Sequence, residues 1–155
     1  MAEQEFAGVA RRTIVRAVEE ATDAGAPAVE AEHLLLAIVA APEQVGPVLG
    51  AFRLDRAAVV AMLDVEREHS LAAAGLGPVD HDRLAATPRR TRPGWGTSAR
   101  EAIVRGSRLR RDRHRMSEAD LLTGVLQAEL GTVPRALAYA GVDRAALVAR
   151  LRERA

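Results

Sequence analysis

The chain has 155 residues, with 22 arginines, no lysine, 21 acidic residues, four histidines, no cysteine and a net charge of +1. Without lysine there is no Schiff base and no P-loop phosphate site; without cysteine there is no disulfide, thiol nucleophile or thiolate metal site. Aromatics are only 3% of the chain against 48% hydrophobic residues, so the core is built mainly of Ala, Leu and Val, which favours closely packed helices over a β-sandwich.

In chain order, the first predicted helix runs from Phe6 to Ala24. Val9, Ile14, Val18 and Ala21 recur at near-helical spacing, and Gly25 and Pro27 stop it. A second helix, Glu30–Ala40, opens with acids that suit the helix dipole and carries Leu34, Leu35, Ile38 and Val39. A short third helix covers Val45–Phe52. Asp55 then caps a fourth helix that runs to about Glu68, with Val59, Val60, Met62 and Leu63 as its apolar residues. Residues 69–96, rich in Gly and Pro, read as a linker with one helical turn near Leu71. Ser98 to Glu101 fits a capping box for a fifth helix carrying Ala102, Ile103 and Leu109. Ser117 caps a sixth helix, to about Glu129. A seventh covers Val133–Ala140, and Asp143 caps an eighth carrying Leu147, Val148 and Leu151.

The second half repeats the first. Asp55-Arg-Ala-Ala58 matches Asp143-Arg-Ala-Ala146, Ile14-Val-Arg16 matches Ile103-Val-Arg105, and Leu34-Leu35 matches Leu121-Leu122, at offsets of 88, 89 and 87. Phe6 falls opposite Trp95, so each repeat opens on one large aromatic. The expected architecture is all-α, with two tandem four-helix repeats at residues 6–68 and 97–154 forming a single unit over 1–155. The repeats differ in charge: residues 1–86 carry 7 arginines and 14 acids, and residues 87–155 carry 15 arginines and 7 acids.

Nearly the whole chain, Phe6 to Leu151, resembles the N-terminal (Clp R) domain of Clp unfoldases, especially the ClpC type. The resemblance rests on the doubled repeat, the opening aromatic, the Ala-Arg-Arg start and Glu32-His33-Leu34-Leu35. It implies two four-helix repeats packed with pseudo-twofold symmetry. It also implies a docking platform for protein substrates, adaptors or components of the Clp machine, and in some ClpC-type members recognition of phosphorylated arginine through the glutamate of the Glu-His pair. The sequence departs from the family pattern at Ala7 and Ala31, where threonines are usual, and at Ala119-Asp120, where the second Glu-His pair would stand. Because the lysine-free chain cannot hold an ATPase P-loop, it reads as a stand-alone, ATPase-less relative acting as adaptor or decoy, or else as part of a longer unfoldase chain.

On that resemblance the expected ligand surface is Phe6, Ala7 and Glu32 with Trp95. The plainer alternatives are that Phe6 and Trp95 staple helix starts to the core and that Glu32 serves only the helix dipole. His33 reads as a packing residue. A second candidate surface is the arginine run Arg108, Arg110, Arg111, Arg113 and Arg115, together with Arg89, Arg90 and Arg92. It reads either as a solvated face or, on the alternative that the chain is a regulatory interaction protein, as a patch for an acidic partner or nucleic acid, with the lack of interleaved aromatics weighing against nucleic acid. The four histidines lack metal-ligand spacing and no nucleophile elbow is present, so neither an enzyme, a metal nor a cofactor is expected. With no signal-type or membrane-length apolar run, the expected location is the cytoplasm.

Overall fold

The computed structural model describes residues 8–77, 92–111 and 115–154. Among these residues there are eight helices: α1 (Val9–Asp23), α2 (Ala31–Ala40), α3 (Gly46–Ala51), α4 (Arg56–Ala73), α5 (Thr97–Leu109), α6 (Glu118–Leu126), α7 (Thr132–Tyr139) and α8 (Arg144–Arg154). Two short strands, β1 (Ala28–Val29) and β2 (Gly94–Trp95), complete the regular structure. The fold is all-α apart from this two-residue clamp.

Helices α2 and α6 form the centre. Each buries nearly its whole length, as an apolar run without a polar face requires. Helix α1 packs on α2 and α5 on α6, while α4 and α7 pack on each other and flank α2. The buried residues recur between the halves. Ala10, Thr13 and Ala17 of α1 correspond to Ala99, Ala102 and Gly106 of α5. Leu34, Leu35, Ala37, Ile38 and Val39 of α2 correspond to Leu121, Leu122, Gly124, Val125 and Leu126 of α6. Val59 and Leu63 of α4 correspond to Leu147 and Leu151 of α8.

Three sequence expectations are corrected. The stripe that α1 buries is Ala10, Thr13, Ala17 and Ala21, with Ile14 and Val18 only partly covered; small residues face α2 because the two helices lie close. Helix α4 continues to Ala73, beyond the expected end at Glu68. Its extra turns are held by the Ser70 hydroxyl donating to Glu66 at 2.6 Å and by His69 stacking on Tyr139 at 4.3 Å. Helix α5 begins at Thr97 with Gly96 as its N-cap, so Ser98 to Glu101 forms no capping box. Parallel pairing of β1 with β2 sets this start: the Gly96 N–H donates to the Val29 carbonyl at 2.9 Å, and Val29 stands opposite Trp95. Residues 69–73 and 94–95, read from sequence as linker, are therefore in regular structure.

The expected caps at Asp55, Asp143 and Ser117 are present. Asp55 accepts from the Ala58 N–H at 2.8 Å and Asp143 from the Ala146 N–H at 2.9 Å. Ser117 and Asp120 exchange reciprocal bonds of 3.0 Å at the start of α6.

Candidate functional site: two matched grooves of opposite charge

Three carboxylates join the halves. Glu118, fully buried at the start of α6, accepts from the backbone N–H groups of Glu43 (3.0 Å), Gln44 (2.6 Å) and Val45 (3.1 Å). Glu30, just before α2, accepts from the Ser98 hydroxyl and from the Ser98 N–H, while the Ser98 oxygen accepts from the Ala31 N–H at 2.9 Å. Glu66, buried on α4, accepts from Arg135 Nε of α7 at 2.8 Å. Pairing to backbone N–H groups and to arginine satisfies carboxylates that would otherwise be costly to bury.

These contacts fix the walls of two grooves. The first, about 610 Å³, lies between the last turn of α1, the first turns of α2, and helices α4 and α7. Most of its charges are already paired: Arg56 grips Glu20 through two bonds of 2.5 and 3.0 Å, and Glu66 is held by Arg135. Glu32 and Asp23 are different. Both line the groove, and among the described residues neither has a hydrogen-bond or ion-pair partner. Glu32 is half-buried, so its carboxylate is partly desolvated and open to a cation.

His33, next to Glu32, is buried. Its Nδ1 accepts from the Glu30 N–H at 2.9 Å, which caps the helix start and requires an unprotonated Nδ1. Burial holds its pKa below the usual histidine value, against the opposing pull of Glu32, Glu30 and Glu20. The sequence reading of His33 as a packing residue missed this capping role, although a residue three positions after the N-cap is where such a partner stands.

The second groove, about 440 Å³, is the copy of the first in the other half. It lies between the start of α6, the end of α8 and the start of α3, and a smaller depression of about 90 Å³ adjoins it. Residue by residue, Ala119 replaces Glu32, Asp120 replaces His33, Leu151 matches Leu63 and Arg154 replaces Glu66. Among the described residues, the first groove sets Glu20, Asp23, Glu32 and Glu66 against Arg56, Arg67 and Arg135, whereas the second sets Arg111, Arg115 and Arg154 against Asp120 alone.

The predicted site residues separate accordingly. Glu32 lines the first groove. Trp95 lies on β2, partly buried against the core, and is not among the residues lining that groove. Phe6 and Ala7 lie outside the described residues. Of the arginine run, Arg111 and Arg115 line the second groove, while Arg108 and Arg110 do not; Arg113, with Arg89 and Arg90, lies outside the described residues. Arg152 and Arg154, absent from the sequence candidates, join Arg111 and Arg115. Their distance along the chain hid them; matching Arg154 to Glu66 across the repeat was the available signal.

No family model matches the sequence, and no curated protein matches it. Among solved structures, the N-terminal domain of the caseinolytic protease associated chaperone ClpD from Arabidopsis thaliana superposes with a TM-score of 0.66 at 20% identity, covering 99% of this chain and 96% of that one. The chain has a Clp N-domain-like fold. Both grooves are thus built on a Clp N-domain-like frame, with their charge divided between the halves. Among the described residues no cluster of three or more His, Asp or Glu is placed to hold a metal, and no helix is long and apolar enough to cross a membrane.

Proposed function

We propose that this chain is a non-catalytic docking module that binds segments of proteins handled by a Clp-type unfolding and degradation system. The observation that carries this reading is an unpartnered, half-buried Glu32 in a preformed groove, on the fold shared with the ClpD N-terminal domain. A carboxylate in that setting makes charge-assisted, bidentate bonds to a guanidinium group. The ligand is then an arginine side chain of a client or adaptor, and phosphoarginine is the narrower form of the same proposal. Arg67 borders the groove, paired only at 3.7 Å with Asp64, and supplies positive charge near an added phosphate. The role is that of an adaptor delivering such segments, or of a decoy occupying them.

Affinity-purification of the cytoplasmic fraction on the immobilised chain tests the assignment. We expect recovery of Clp unfoldase components or clients on the native chain and their loss on Glu32→Ala. Recovery of no Clp component or client on either surface would overturn the Clp assignment.

A further inference from the structure

We propose that the second groove is a separate docking site for an acidic, aliphatic-anchored peptide segment of a partner protein. This proposal does not rest on the role of Glu32. Arg115, Arg152 and Arg154 converge on the groove and its adjoining depression, and among the described residues none of them makes an ion pair. Asp120 is the one acid among the described lining residues, and its carboxylate is engaged by the Ser117 N–H. The matching groove in the first half offers the contrast, because there Arg56 and Arg135 each have a carboxylate partner. Clustered like charges without partners repel one another, and an anionic ligand relieves that repulsion while forming charge-assisted hydrogen bonds.

The floor decides the class of anion. It is aliphatic, formed by Val45, Val48 and Leu151, and no aromatic side chain is among the described lining residues. Bases stack best on a flat aromatic floor, whereas a Leu or Val side chain fills an aliphatic one, and the exposed Arg115 and Arg154 stand at its rim. An acidic segment with an aliphatic anchor satisfies both the rim and the floor.

The test is fluorescence anisotropy with a labelled Glu-Leu-Glu-Glu-Leu-Glu peptide, its Gln-for-Glu counterpart and a labelled oligothymidine, all at one fixed salt concentration. The native chain is expected to prefer the acidic peptide to the glutamine peptide by about tenfold or more. The double charge reversal Arg115→Glu/Arg154→Glu is expected to remove that preference. Both arginines are exposed, so the variant is expected to keep the native melting temperature. Ala119→Glu, which rebuilds the first groove's acid in the second, is expected to weaken binding comparably, and Glu32→Ala to leave it unchanged. Equal binding of both peptides, insensitivity to the charge reversal, or tighter binding of oligothymidine that the charge reversal removes would each overturn the proposal.

Discussion

Glu118 has no exposure to water, yet three consecutive backbone N–H groups of the loop between α2 and α3 converge on its carboxylate. Removing one partner from a buried hydrogen-bonded group costs about 1–3 kcal/mol for each donor left unsatisfied. Glu118→Ala is therefore expected to lower unfolding stability by about 3 kcal/mol or more, measured by urea denaturation; a loss below about 1 kcal/mol would show the loop does not depend on this anchor. The loop also carries Glu43, which Arg12 Nε bonds at 2.9 Å and Arg16 approaches at 3.5 Å. The Arg12 hydrogen bond holds the Glu43 carboxyl below its ordinary pKa. Sequence alone placed Glu118 at a helix start. That it is buried follows only from its match with Ala31, which is itself buried in the first half.

His33 ties the stability of the fold to pH. The unfolded chain takes up a proton on His33 near pH 6.5, while the folded chain resists it because burial lowers its pKa. The unfolded state then binds more protons, so this contribution to stability is fully present above about pH 6.5 and is lost as pH falls through the lower folded value. His33→Gln keeps an acceptor for the Glu30 N–H without titrating. Its stability is expected to fall less than that of the native chain between neutral pH and the carboxylate range. Parallel pH–stability curves for the two chains would contradict the capping role.

At the level of elements, α5 and α6 cross at their closest through Gly106 and Gly124. A Cβ on Gly124 would meet the Ala102 carbonyl oxygen and stand 2.6 Å from the Gly106 nitrogen. These contacts are backbone and cannot swing aside, so Gly124→Ala must move the helices apart. The expected cost is about 3 kcal/mol or more, read as a lowered denaturation midpoint, because backbone overpacking exceeds ordinary core strain. A midpoint unchanged from the native chain would contradict the crossing. The matching positions in α1 and α2 are Ala17 and Ala37, which already carry a Cβ. The helices themselves were legible from apolar spacing and from the caps Asp55, Asp143 and Ser117, since those signals are local. The small-residue stripes were not, because a search for large apolar residues overlooks the Ala and Gly that allow close crossing. Nor was the β1–β2 clamp, since two residues carry no strand periodicity and the pairing is set by tertiary contact.

Over the whole molecule, the charge asymmetry of the sequence becomes a division between two equivalent grooves. The doubled architecture was legible because matching fragments recur at nearly constant offsets. Glu32 as a candidate was legible through its Glu-His-Leu-Leu setting, but its surroundings were not: Glu20, Glu66 and Arg135 reach that groove from three other helices. Likewise Arg152 and Arg154 meet Arg111 and Arg115 only because α8 folds back beside α6. In the proposed function Glu32 holds a cationic side chain of a docked segment. Isothermal titration of the native chain, Glu32→Gln and Arg115→Glu/Arg154→Glu with a short arginine-bearing peptide, unmodified and phosphorylated on the arginine, tests it most directly. Binding is expected that Glu32→Gln weakens by about tenfold or more and that the double arginine variant retains; no heat with either peptide, or equal affinity in Glu32→Gln, would overturn this role for Glu32.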